Sequence, residues 1–177
     1  LHEVEGSPAP SVSITLDRVV QNAAQRAVDN KGGKAMMVVI KPSTGEILAI
    51  AQNGGADADG LPATNGLFPP GSTFKVLVSA AALKTGYMPD TKIFAPVGYW
   101  PFQPKKTTAC PSNAASSCVE NFEGESCERG RVATLEFALA KSCNSAFAAL
   151  AVDQLGATKV ADMAKLLGFQ PPYSDIT

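Results

Sequence analysis

Hydrophobic residues along this chain fall into three kinds of run. Leu16, Val19, Val20, Ala23, Ala27 and Val28 recur at helical spacing, with Asp17, Arg18, Gln21, Gln25 and Arg26 on the other faces. That spacing predicts an amphipathic helix over residues 17–30, ended by Gly32-Gly33. Lys34 to Ile40 and Ile47 to Gln52 are β-rich apolar runs. The Lys41-Pro42-Ser43-Thr44-Gly45-Glu46 segment between them has turn chemistry, so the three together predict a hairpin. Residues 53–68, rich in Gly, Ala and Asp, read as a loop. The third run, Val76 to Leu83, contains neither Gly nor Pro and follows Pro69-Pro70-Gly71-Ser72-Thr73-Phe74-Lys75. It predicts a loop that ends abruptly in a buried helix reaching about Lys84 and stopping at Gly86.

From Tyr87 to Arg131 the periodicity fades into a long proline-interrupted stretch carrying three of the four cysteines. Stretches of this kind inside a compact domain are usually functional or stapled. Regular patterning resumes with Thr134 as an N-cap and Glu136 in the first turn of a helix to about Lys141. Ser142-Cys143-Asn144 interrupts it. Two more helices follow, Ser145 to Gln154 and Ala157 to Leu167, separated by Leu155-Gly156 and closed by Gly168. Residues 1–11 read as a linker or tail, and residues 12–177 as one body.

With 177 residues, 45% hydrophobic and 18% charged, the chain suits one globular domain or a large part of one. A formal net charge of -1 gives no electrostatic case for nucleic acid. No apolar run approaches the roughly 20 residues that span a bilayer. A start at Leu1, with no Met and no signal-like segment, leads us to expect a piece of a longer protein. Cys110, Cys118 and Cys127 match no zinc-ligand spacing, and an oxidised loop in an exported protein is the better reading. At least one disulfide is expected among the four cysteines, with the pairing open. Cys143 is expected to be unpaired, buried behind Ser142 and Asn144.

Candidate chemistry starts at Ser72. Lys75 lies three residues on, so both side chains rise on one helical face. An apolar surround lowers a lysine pKa by desolvation, and a neutral amine beside a hydroxyl makes an activated nucleophile. Ser-x-x-Lys is common in ordinary helices, so the surrounding residues have to decide. In a tightly turned Ser142-Cys143-Asn144, residues i and i+2 point one way while Cys143 points into the body. The Ser142 hydroxyl can relay a proton, and the Asn144 amide can hold both an amine and a substrate carbonyl. The only histidine, His2, sits in the tail, which argues against a Ser-His-Asp triad.

Five segments, taken in order, resemble the transpeptidase domain of penicillin-binding proteins, most closely the class B (transpeptidase-only) type. They are Leu16-Asp17, the hairpin Lys41 to Ala49, Phe68-Pro69-Pro70-Gly71-Ser72-Thr73-Phe74-Lys75, Asn121-Phe122-Glu123-Gly124, and Ala138-Leu139-Ala140-Lys141-Ser142-Cys143-Asn144-Ser145-Ala146-Phe147. The resemblance covers nearly all of residues 12–170. It implies an α/β fold of the α+β type, the fold shared with serine β-lactamases: a mostly antiparallel sheet with a helical subdomain. It also implies a peptidoglycan D,D-transpeptidase that serves cell-wall cross-linking and cell shape. Such an enzyme acts on stem peptides, is acylated by β-lactams at Ser72 and needs no cofactor. Carried over position by position, Ser72 is the nucleophile and Lys75 the general base. Ser142 passes the proton to the leaving amine, Asn144 holds Lys75 and the substrate amide, and the Ser72 N–H is half of the oxyanion hole.

Two departures qualify the match. The family's third motif, Lys-Thr-Gly or Lys-Ser-Gly, lies well beyond Ser-x-Asn, and nothing after Asn144 matches it. Lys84-Thr85-Gly86 has the letters but continues the Ser72 helix to its glycine stop, so it reads as a C-cap. Lys41 stands where relatives commonly carry Asp, and no function attaches to it. The chain is therefore expected to be the N-terminal portion of the domain, incomplete at its C-terminus and essentially inactive alone. The open sheet edge is expected to be covered by the rest of the domain or another chain. The parent protein would be anchored to a bacterial cell membrane by a segment outside this chain, with the domain on the extracytoplasmic side. Rival readings are a serine β-lactamase, which would turn penicillin over, and a non-catalytic β-lactam sensor domain, which would bind it but process no peptide.

Overall fold

The computed structural model describes residues 11–101, 109–110, 118–128 and 131–169. The tail reading for residues 1–10, His2 included, and the centre of the proline-interrupted stretch lie outside them. The chain divides into two compact units, one ending at Phe68 and the other beginning at Pro69.

In the first unit, helix α1 (Arg18–Asp29) is capped by Asp17, whose carboxylate accepts the Val19 and Val20 N–H groups. Strands β1 (Met36–Ile40) and β2 (Ile47–Gln52) form the expected antiparallel hairpin, with a register shift between Val39 and Ile40. Gly45, at φ 77°, supplies the left-handed residue that its turn requires. Short helices α2 (Gly54–Asp57) and α3 (Pro62–Asn65) occupy what reads as loop in the sequence. The signal for α2 is Asn53, a buried N-cap. Its Oδ1 accepts from Ala35 and Ala56, while Nδ2 donates to the Val28, Lys31 and Gly33 carbonyls.

The buried face of α1 is narrower than its apolar pattern suggests. Ala24 and Val28 are buried with Ala49 and Ala51, and Val20 packs partly against them, whereas Leu16 and Val19 stay exposed. The reason lies in β2. Gln21 clips the Ile50 backbone from both sides, with Nε2 donating to its carbonyl at 2.7 Å and Oε1 accepting its N–H at 2.9 Å. Gln25 donates to the Gln52 carbonyl and the Asp17 N–H to that of Leu48. Glutamines satisfying a strand edge thus take the flank that Leu16, Val19, Ala23 and Ala27 would have needed.

The second unit is built around helix α4 (Phe74–Lys84), entered through a 3-10 turn at Gly71–Thr73. Leu77, Val78, Ala81 and Ala82 are buried in one core. Thr85 and Gly86 close α4: the Gly86 N–H donates to Leu83, the Tyr87 N–H to Ala82, and Gly86 has φ 97°. Lys84 is therefore exposed at a helix end, as the C-cap reading requires. Strands β3 (Lys92–Phe94), β4 (Gly98–Tyr99), β5 (Val119–Glu120) and β6 (Val132–Thr134) form two antiparallel ribbons, β3 with β6 and β4 with β5.

Helix α5 (Leu135–Ala140) starts at Thr134, whose hydroxyl accepts the Phe137 N–H. Helix α6 (Asn144–Ala149) widens into a π-helical turn over Leu150–Leu155 before Gly156 breaks the chain and α7 (Ala157–Leu166) begins. The widened turn presents Asp153 to Tyr99 and Gln154 to Tyr87, each hydroxyl donating at 2.9 Å. Burial, then the bond to Asp153 and its charge, push the Tyr99 hydroxyl up to about 12.

Two disulfides are present, Cys110–Cys118 and Cys127–Cys143. Cys143 is buried as expected, at 2% exposure, but it is not unpaired. Its side chain turns away from Ser142 and Asn144, and the surface it meets there carries Cys127.

Candidate active site

Pro70 and the positive φ of Gly71 (58°) turn the chain into the 3-10 turn that lifts Ser72 to the surface. One turn further, in α4, Lys75 is 8% exposed among Leu77, Val78 and other apolar residues. The tripeptide 142–144 arrives from the end of α5. Ser142 has φ 55°, a left-handed conformation that is costly for a residue with a Cβ. It reverses the chain so that Cys143 points inward while Ser142 and Asn144 face outward together.

All four sequence-selected side chains meet at one point. Lys75 Nζ lies 2.9 Å from Ser72 Oγ, 3.0 Å from Ser142 Oγ and 2.5 Å from Asn144 Oδ1. Ser142 Oγ donates to Ser72 Oγ at 3.0 Å. Among the described residues no ion pair includes Lys75. Its amine is held below the ordinary lysine value of 10.5 by burial.

Proton counting shows what this arrangement permits. A neutral amine has two N–H donors and one lone pair. The donors reach Asn144 Oδ1 and Ser142 Oγ, Ser142 donates to Ser72 Oγ, and the Ser72 proton points at the lysine lone pair. Every donor then has an acceptor, and the Ser72 oxygen is poised to lose its proton. With a charged ammonium all three N–H groups donate and the Ser72 hydroxyl must turn elsewhere, so burial favours the reactive arrangement.

A groove of about 490 Å³ opens beside Ser72, Lys75 and Asn144, with Val119, Phe147 and Ala151 on its apolar wall. Sequence reasoning did not anticipate what steadies the far side of the 142–144 turn. Asn144 Nδ2 donates to the Glu120 carbonyl at 3.0 Å, Asn121 bonds Ser145, and Cys127 bonds Cys143. Asn121 and Ser145 lie inside motifs picked out by resemblance, but nothing in their spacing says that they touch.

A serine and a lysine at one helix entry thus meet a Ser-x-Asn turn within a single helical unit. The chain belongs to the penicillin binding protein transpeptidase domain family, whose model matches residues 35–175. It is 32% identical to the peptidoglycan D,D-transpeptidase PbpA of Mycolicibacterium smegmatis over a gapped alignment of 191 positions that covers 92% of this chain and 36% of that protein. Its identity to the Mycobacterium tuberculosis PbpA is 30% over a gapped alignment of 164 positions, which covers 78% of this chain and 31% of the relative. The chain thus spans about a third of the curated relatives it matches. Among solved structures, the imipenem acyl-enzyme complex of M. tuberculosis penicillin-binding protein A superposes with a TM-score of 0.65 at 28% identity. That match covers 87% of this chain and 39% of the other. The penicillin G acyl-enzyme complex of the same protein matches equally well, with a TM-score of 0.65.

Proposed function

We propose that the protein is a peptidoglycan D,D-transpeptidase acting through an acyl-enzyme on Ser72, and that β-lactams trap it there. The observation that carries this reading is the closed set of contacts among Ser72, Lys75 and Ser142, with Lys75 partly desolvated and, among the described residues, in no ion pair. Ser72 Oγ attacks the carbonyl carbon of the penultimate D-Ala of a stem peptide as Lys75 Nζ takes its proton. The C–N bond to the terminal D-Ala breaks, and Ser142 passes the proton from Lys75 to the departing amine. An amine from a second stem peptide then attacks the Ser72 ester and loses a proton to Lys75, which returns it to Ser72 Oγ as the C–O bond breaks and the serine is freed. Asn144 keeps Lys75 in place and offers its amide to the substrate, and the Ser72 N–H serves as one oxyanion donor.

Two disulfides support an oxidising compartment, consistent with the extracytoplasmic side of a membrane-anchored protein. Among the described residues no helix is long and apolar enough to cross a membrane. The class B assignment rests on the motif order, and the groove beside Ser72 would receive the stem peptide.

The test is D-Ala release from a pentapeptide donor by the full-length protein, with and without an acceptor amine. Release that depends on Ser72 and yields the cross-linked product is expected. Steady hydrolysis of penicillin instead would mark a β-lactamase. Stable acylation with no D-Ala release would mark a sensor.

A further inference from the structure

Helix α6 begins without a cap of its own. Cys143 occupies its N-cap position and makes no side-chain hydrogen bond there, its sulfur being committed to Cys127. The unpaired N–H groups of a first helical turn need acceptors. Here one is supplied from a distant loop: Asn121 Oδ1 accepts the Ser145 N–H at 3.1 Å across 24 positions. The Asn121 amide cannot swing round without loss, because its Nδ2 donates to the Glu125 carbonyl at 2.9 Å. Ser145 Oγ is also 3.1 Å from Asn121 Oδ1, but its single proton has a closer acceptor in the Pro96 carbonyl at 2.5 Å. The Ser145 N–H is therefore the bond that Asn121 holds in either arrangement. Both side chains are buried, Asn121 at 7% and Ser145 at 0% exposure.

Ser145 directly follows Asn144, and the Asn144 amide is aimed at both ends. Oδ1 meets Lys75 Nζ at 2.5 Å and Nδ2 meets the Glu120 carbonyl at 3.0 Å. Glu120 in turn directly precedes Asn121, so neighbouring residues of one segment hold neighbouring residues of the other. We propose that Asn121 is a positioning residue for catalysis: by capping α6 from outside, it sets the direction in which Asn144 reaches Lys75. This rests on the reading of Ser72 as the acylated serine. Asn121 does not line the groove beside Ser72, and the hydrogen-bond partners of Lys75 are Ser72, Ser142 and Asn144. The effect of Asn121 is therefore proposed to pass through Asn144, the neighbour of Ser145.

The experiment measures acylation of the full-length protein by a fluorescent penicillin, at a temperature where melting curves show each variant folded. Misplacing a positioned group by about 1 Å costs up to ~10²-fold, so Asn121→Ala should acylate roughly 10- to 10²-fold more slowly. In the Asn144→Ala background, Asn121→Ala should cost no more than about 2-fold further, because the group it aims is already gone. A purely structural Asn121 would give losses that multiply, and that result overturns the proposal. Asn121→Asp keeps the acceptor oxygen and serves if Asn121→Ala does not fold. It gives up the donor to the Glu125 carbonyl, so a loss is expected, but one smaller than that of Asn144→Ala. A loss as large as that of Asn144→Ala would also overturn the proposal. Ser72→Ala separates the two levels of the account. If it abolishes labelling, multiplying losses count against Asn121 alone. If labelling survives, the functional reading falls, and this proposal with it.

Discussion

Ser72 Oγ and Ser142 Oγ lie 3.0 Å apart although 70 positions separate them in the chain. Lys75 Nζ touches both. Both serines are exposed while Lys75 is largely buried beneath them, so a proton can move among three heteroatoms beside the groove.

A base that must be neutral gives a definite pH dependence. Burial holds Lys75 below 10.5, so acylation by penicillin should climb with pH along a limb whose midpoint lies below that value. The stability term has the same sign. Between the folded and unfolded pKa values the unfolded chain binds more protons at this site, so its contribution to stability rises with pH and levels off above 10.5. Lys75→Ala should slow acylation by roughly 10²–10⁴-fold and remove the limb. An unchanged pH profile in Lys75→Ala would mean that another group is the base.

Ser142 joins chemistry to backbone strain. At φ 55° a glycine would be relaxed where serine is not. Ser142→Gly should therefore raise the unfolding free energy by about 1 kcal/mol while acylation drops for want of the hydroxyl. Ser142→Ala should lose a comparable amount of acylation without the gain in stability. If Ser142→Gly kept full acylation, the hydroxyl would be dispensable.

The disulfide Cys127–Cys143 anchors the middle of the 142–144 turn across a separation of 16 residues. Closing a loop of that length is worth about 3 kcal/mol in the chain-entropy picture. Replacing both cysteines by alanine should lower the melting temperature and slow penicillin labelling, because Ser142 and Asn144 flank Cys143. Peptide mapping of unreduced protein should recover Cys110 linked to Cys118 and Cys127 linked to Cys143. A thiol on Cys143 in that map would contradict the arrangement.

Lys84 supplies the control. It is exposed nine residues beyond Lys75, about 13 Å along the helix axis. Lys84→Ala should leave acylation unchanged. Gly86→Ala should destabilise the fold by about 1 kcal/mol, because φ 97° suits glycine. An acylation defect in Lys84→Ala as deep as that of Lys75→Ala would overturn the C-cap reading of Lys84-Thr85-Gly86.

What could be read from the chain follows the range of the forces involved. The ends of α1, the hairpin and the span of α4 depend on neighbours a few residues apart, and caps, glycines and periodicity mark them. Ser72 and Lys75 share a helical face, so their meeting is local as well. Ser142 and Asn144 came from motif order, because only tertiary packing brings them to Lys75. The bond between Asn121 and Ser145, and the choice of Cys127 by Cys143, were not readable. Each is settled by which loop packs behind the 142–144 turn, and four cysteines allow three full pairings without preference. The exposed Val19 on α1 fails for a related reason: the pattern marks an apolar residue, but only β2 decides that Gln21 and Gln25 take the neighbouring flank.

The measurement closest to the central claim is the mass of the Ser72 peptide after penicillin treatment of the full-length protein. Digestion and fragmentation should place one intact penicillin on Ser72, with Ser142 and every other serine unmodified, and Ser72→Ala should carry no adduct. An adduct on a different residue, or equal labelling of Ser72→Ala and the parent, would contradict the assignment of Ser72 as the nucleophile.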